Sequence, residues 1–112
     1  MSMDDNFTGI QHIGIPTNDI EATIAFYQKL GFIPVLRTVN EQANEKVAFL
    51  RLHNLNIETY ENKAAEMKTG AIDHIAINCV SIEDAFSYIN KEGLNNTSDT
   101  IHFLPFWGHR PR

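Results

Sequence analysis

The chain has 112 residues, 43% apolar and 21% charged, which fits one globular domain with a modest core. A net charge of −5 argues against nucleic acid or an anionic membrane as partner. No apolar run approaches the roughly 20 residues of a membrane span. The start, Met1-Ser2-Met3-Asp4-Asp5-Asn6, lacks an apolar targeting core, and the lone Cys79 allows no internal disulfide, so a reduced cytoplasm is expected.

In chain order, residues 7–17 alternate as a strand, with Ile13 and Ile15 on one face and Ile10, His12 and Gly14 on the other. Pro16 is expected to end it. Thr17, Asn18 and Asp19 supply helix N-cap candidates, and Ile20, Ile24, Tyr27 and Leu30 recur at helical spacing up to a closing Gly31. Residues 32–38 read as a second strand, in which Pro34 predicts an edge or a bulge. A polar loop, 40–46, leads to a third strand at 47–52. His53-Asn54 forms a turn into a fourth strand at 55–60, with Leu55, Ile57 and Thr59 facing one way and Asn56, Glu58 and Tyr60 the other. Residues 62–70 read as a linker.

Then the pattern restarts. A strand is predicted over 71–80 and a helix behind Ser81, with Asp84 three residues on and Gly93 at its end. The last predicted strand is 101–107. Ile10-Gln11-His12-Ile13-Gly14-Ile15 and Ile72-Asp73-His74-Ile75-Ala76-Ile77 overlay under a shift of 62 residues, the separation of His12 and His74. The same shift matches Ile20, Glu21, Lys29 and Gly31 to Ile82, Glu83, Lys91 and Gly93. Such a period marks a duplicated supersecondary unit. The fold class is therefore α+β: a βαβββ module at 8–61, a second module at 71–107 that supplies only βαβ, and a tail at 108–112, together forming one domain with a curled mixed sheet.

Strand parity turns His12 away from Ile13 and Ile15, His74 away from Ile75 and Ile77, and Glu58 away from Ile57. On a curled sheet these three side chains line one concave surface. Two imidazoles and a carboxylate suit a divalent first-row ion, namely zinc, nickel, cobalt, manganese or iron(II). Such a set leaves coordination positions open for water or substrate. For each histidine alone the competing reading is a strand residue meeting backbone or water. Phe49, Tyr60, Phe103 and Trp107 are candidates to line a substrate pocket, against the alternative that they fill the core. His53, His102, His109 and Cys79 carry no chemistry in this reading.

The paired units, with His12-Ile13-Gly14-Ile15 and Asp73-His74-Ile75-Ala76, resemble the vicinal oxygen chelate superfamily, which includes glyoxalase I, extradiol dioxygenases and the bleomycin- and fosfomycin-resistance proteins. The run from Asp19 to Phe32, with Phe26-Tyr27-Gln28-Lys29-Leu30-Gly31, is similar to the first-helix signature of glyoxalase-like members. The resemblance implies His12, Glu58 and His74 as metal ligands. It also implies a metal-dependent lyase or isomerase acting on a small α-oxygenated substrate, as lactoylglutathione lyase does. The family's fourth ligand, a glutamate on an eighth strand that is also a candidate base, has no counterpart in this sequence. Two alternatives follow: a non-catalytic binding or resistance-type protein of the same fold, or an inactive truncated remnant. An unpaired last strand predicts a homodimer.

Overall fold

The computed structural model describes residues 2–72, 74–98 and 100–101. The chain forms two compact units, Met1–Lys68 and Thr69–Arg112. The first contains α1 (Met3–Asn6), β1 (Ile13–Thr17), α2 (Ile20–Lys29), β2 (Ile33–Asn40), β3 (Glu45–Leu52) and β4 (Leu55–Glu61). The four strands form an open mixed sheet in the order β1-β4-β3-β2. β2–β3 and β3–β4 are antiparallel hairpins, while β1 and β4 run parallel. The fold class is thus α+β, as the hydropathy pattern predicts.

Local chemistry explains each boundary. Asp19 caps α2 by accepting from the Ala22 amide at 3.2 Å, and Gly31 follows the helix with φ +98°, a left-handed conformation that glycine takes without strain. Pro34 lies on the edge strand β2, and the register slips between Pro34 and Leu36. Both outcomes expected of that proline are present. The polar 40–46 loop shortens to a turn at 41–44, because β2 and β3 extend their pairing to Asn40↔Glu45. β1 extends through Pro16 to Thr17, again on an edge strand, and begins only at Ile13. Residues 7–12 make no ladder: Ile13 already pairs with Ile57, and the start of β4 before it turns back onto β3. Alternation without a partner strand does not hold extended backbone in a sheet.

α2 packs over β2, β3 and β4. Ile20, Ile24, Phe32, Ala48, Leu50 and Ile57 form the buried core, with Ile15, Tyr27, Leu30, Leu52 and Leu55 packed around it. The segment after β4 is tied to this unit. Asn18 donates its side-chain amide to the Ala65 carbonyl at 3.1 Å and accepts from the Ala65 amide at 3.0 Å. The Lys63 amide donates to the Thr17 carbonyl. Residues expected to be a linker therefore run beside the β1–α2 corner.

The second unit holds α3 (Ile82–Lys91). Ser81 caps it by accepting from the Asp84 amide at 3.1 Å, and Gly93 follows with φ +68°. The strand predicted over 71–80 does not form among the described residues. Ile75 is 38% and Ile77 49% exposed, and no described strand pairs with the stretch, so its alternation lacks a ladder. The predicted strand at 101–107, apart from Ile101, lies outside the described residues, as does the tail at 108–112. Among the described residues no helix is long and apolar enough to cross a membrane.

Two predictions follow from the packing. Thr59 is fully buried, and its Oγ1 finds no hydrogen-bond partner among the described residues. Thr59→Val removes that unmet hydroxyl at nearly constant shape and is expected to stabilise the fold by about 1 kcal/mol, read as a higher urea midpoint at unchanged slope. Burial of the Tyr27 ring against Phe26 and Phe32 pushes its phenol above the ordinary value of 10.0. The unfolded chain then ionises first as pH rises past that value, so this contribution is intact below it and is lost above it. Tyr27→Phe is expected to flatten the alkaline fall in stability, measured by denaturation at stepped pH.

Candidate functional site

The sheet has two unlike faces. Ile15 in β1, Ala48 and Leu50 in β3, and Ile57 in β4 face α2. Their alternates, Gly14, Phe49, Arg51, Asn56, Glu58 and Tyr60, lie on the other face, which no helix of this unit covers. His12, one residue before β1, joins that face. Its ring meets Phe49 edge-on at 5.4 Å between centroids, and its Nε2 lies 3.8 Å from Glu58 Oε1. Both side chains are about one-third exposed, which leaves them accessible to solute.

The imidazole is oriented from behind. Its Nδ1 lies 2.9 Å from Gln11 Oε1. An amide oxygen only accepts, so Nδ1 carries the proton and Nε2 turns toward Glu58. Nε2 and the Glu58 carboxylate oxygen lie beyond hydrogen-bonding distance. Two donors bound to one ion at about 2.0–2.2 Å would sit roughly 3–3.5 Å apart. The observed gap of 3.8 Å is wider than that.

Two carboxylates, Glu58 and Glu61, lie near the end of β4, and the structure separates them. Glu61 lies on the helix side, and its Oε2 accepts from the Ile20 amide at 2.8 Å, at the start of α2. That carboxylate offsets the unpaired amides and positive dipole of a helix N-terminus. Glu58 has the opposite parity and faces His12. Tyr60 flanks it: a Cβ built on Gly14 would meet the Tyr60 ring at 3.6 Å and Glu58 Oε1 at 4.0 Å.

Phe49 and Tyr60, expected pocket residues, are both on this face. Phe103 and Trp107 lie outside the described residues. His74 belongs to the second unit and is exposed. Among the described residues no group of three or more histidine, cysteine, aspartate or glutamate side chains gathers into a metal cluster. A depression of about 260 Å³ adjoins the imidazole, lined by Gln11, Val35, Leu36, Phe49, Arg51 and Asn56. Sequence reasoning names only Phe49 of these. The parity that selects Glu58 also selects Asn56, two residues earlier, and parity with Phe49 selects Arg51.

The sequence matches the family described as "Glyoxalase/Bleomycin resistance protein/Dioxygenase superfamily" over residues 9–100. No curated protein matches. Among solved structures, the fold is similar to a glyoxalase family protein from Enterococcus faecalis, with 21% identity and TM-score 0.62 over 79% of this chain and 75% of that one. It is also similar to the genomically encoded fosfomycin resistance protein FosX from Listeria monocytogenes, in a complex with Mn(II) and sulfate ion. That match has 22% identity and TM-score 0.64 over 78% of this chain and 73% of the other. At these identities the solved structures speak for the fold alone. The family match spans both units and the repeat that joins them, and on that ground the chain belongs to the glyoxalase/bleomycin resistance protein/dioxygenase superfamily.

Proposed function

We propose that the open face of the sheet binds a divalent metal ion through His12 and Glu58, and that it handles a small α-oxygenated molecule there. The observation that carries this reading is the His12–Glu58 pair, with Nε2 aimed at the carboxylate and Nδ1 held by Gln11. This is a ligand with its outer partner already in place. A bound ion would act as a Lewis acid toward a carbonyl or enediolate oxygen. Within the chain, Gln11 fixes the tautomer of His12, Phe49 packs against the ring edge, and Glu58 supplies negative charge. Tyr60 presents a phenol beside that carboxylate. The reaction class in this reading is that of a lactoylglutathione-lyase-like lyase or isomerase.

A second reading is a binding or resistance-type protein without turnover. The apolar flank of the depression, Val35, Leu36 and Phe49, favours ligand retention and offers no proton-transfer group. In both readings β2 leaves Ile33, Leu36 and Val39 exposed on a sheet edge, which is the place for homodimer contact.

Metal content after dialysis against manganese(II) or zinc(II) tests the first reading. The wild type is expected to retain the ion in stoichiometric amount. Gln11→Ala is expected to weaken binding about 10- to 100-fold, and His12→Ala or Glu58→Gln by at least as much. Unchanged affinity in both ligand variants overturns the assignment. Light scattering at micromolar concentration tests assembly: a dimer is expected, and Leu36→Asp is expected to shift it to monomer.

A further inference from the structure

We propose that the end of the sheet away from His12 carries a second ligand site, which takes a small hydroxylated phosphate monoester and holds its phosphate through Lys46 and Lys63. The site is a cavity of about 470 Å³ where β2 turns into β3 and where β4 passes into the segment that follows it. It shares no lining residue with the depression beside His12. Glu61, in its wall, lies three residues beyond Glu58, about 10 Å along the strand.

Four observations carry it. First, Lys46 and Lys63 both line the cavity, and among the described residues neither ammonium pairs with a carboxylate. Lys68, further along the same segment, does pair, with Glu66. The acids of the lining leave the two lysines uncompensated. Glu61 gives Oε2 to the Ile20 amide. Glu45 and Lys46 are consecutive in β3 and point to opposite sides of it, so they reach different parts of the cavity. Two like charges sharing one cavity repel, and a dianion between them removes that cost. A phosphate monoester carries such a charge at neutral pH, and a lysine ammonium binds it as a point charge. Second, Asn62 spends its Oδ1 on the Ala64 amide at 3.0 Å, which leaves the two Nδ2 hydrogens for a ligand oxygen.

Third, only Val39 and Ala43 of the lining are apolar, so the cavity gives a hydrocarbon ligand little to bury against. Ligand hydroxyls suit it better: the Glu45 carboxylate accepts from them, and the Asn44 amide both accepts and donates. Fourth, Asn44 and Lys63 both have left-handed backbone, with φ 53° and 57°. That conformation costs an L residue roughly 1–2 kcal/mol. The Lys63 amide is held there by the Thr17 carbonyl. Residues fixed in such conformations gather at ligand sites, and here two of them face one cavity.

Glycerol 3-phosphate, inorganic phosphate and glycerol, titrated separately into metal-free full-length protein and followed by amide NMR shifts, test the proposal. Saturable shifts at Asn44, Lys46 and Lys63 are expected with glycerol 3-phosphate, weaker binding with phosphate and none with glycerol. Lys46→Gln and Lys63→Gln are each expected to raise the Kd for glycerol 3-phosphate about 10-fold, with the folded spectrum retained. Lys68→Gln, which removes a lysine outside the cavity, is expected to leave it unchanged. No saturable shift with glycerol 3-phosphate, or equal affinity in wild type and both cavity variants, overturns the site. An equal loss in Lys68→Gln also overturns it, since attraction to any surface lysine would then account for the binding. Equal affinity for phosphate and glycerol 3-phosphate overturns the hydroxyl contacts.

Discussion

The parallel pairing of β1 with β4 is the constraint on which the first unit depends. It brings together strands separated by α2 and a complete hairpin, and a parallel pair needs such a crossover. The register Ile13↔Ile57, Gly14↔Glu58, Ile15↔Thr59 does two things together. It lays Ile15 and Ile57 under α2, where burial drives folding. It also sets Gly14 beside Glu58 on the opposite face, so that His12, just upstream, meets that carboxylate. A slip of one residue would exchange the faces and bury Glu58 beneath the helix. Hydrophobic burial on one side of the sheet thereby fixes the polar pair on the other.

Much of this was legible because strand parity and helix periodicity are local. The Ile20, Ile24, Tyr27 and Leu30 stripe, the caps at Asp19 and Ser81, the glycines at 31 and 93 and the edge character of Pro34 each follow from a few neighbouring residues. The face of Glu58 follows from Ile57 beside it. What parity does not carry is partnership across the chain. The clamp of Asn18 on Ala65 joins residues 47 apart, and nothing in the composition of 62–70 separates a tethered strap from a free linker. Arg51 shows a related limit: a single exposed arginine in a strand is ordinary until its neighbours across the sheet are known.

The stretch 74–80 marks the limit of pattern reading. It carries the same alternation as residues 12–17 and the same histidine, yet only the first copy is a strand among the described residues. The difference is the neighbour. Ile13 and Ile15 have β4 alongside, and Ile15 packs against the core, whereas Ile75 and Ile77 have no described ladder partner. Periodicity states which face a strand would bury. A strand forms only where another chain segment satisfies its backbone groups.

The two glutamates at the end of β4 show how closely site and scaffold are joined. They are three residues apart, an odd separation, so a strand sends them to opposite faces. Glu61 meets the Ile20 amide and steadies the start of α2, while Glu58 meets His12. An even spacing would have placed both on one face, crowding two carboxylates around one imidazole and leaving the α2 amide without its acceptor. The same strand therefore holds the helix down through one acid and presents the other to the open face, and the helix in turn keeps Ile57, and with it Glu58, in register.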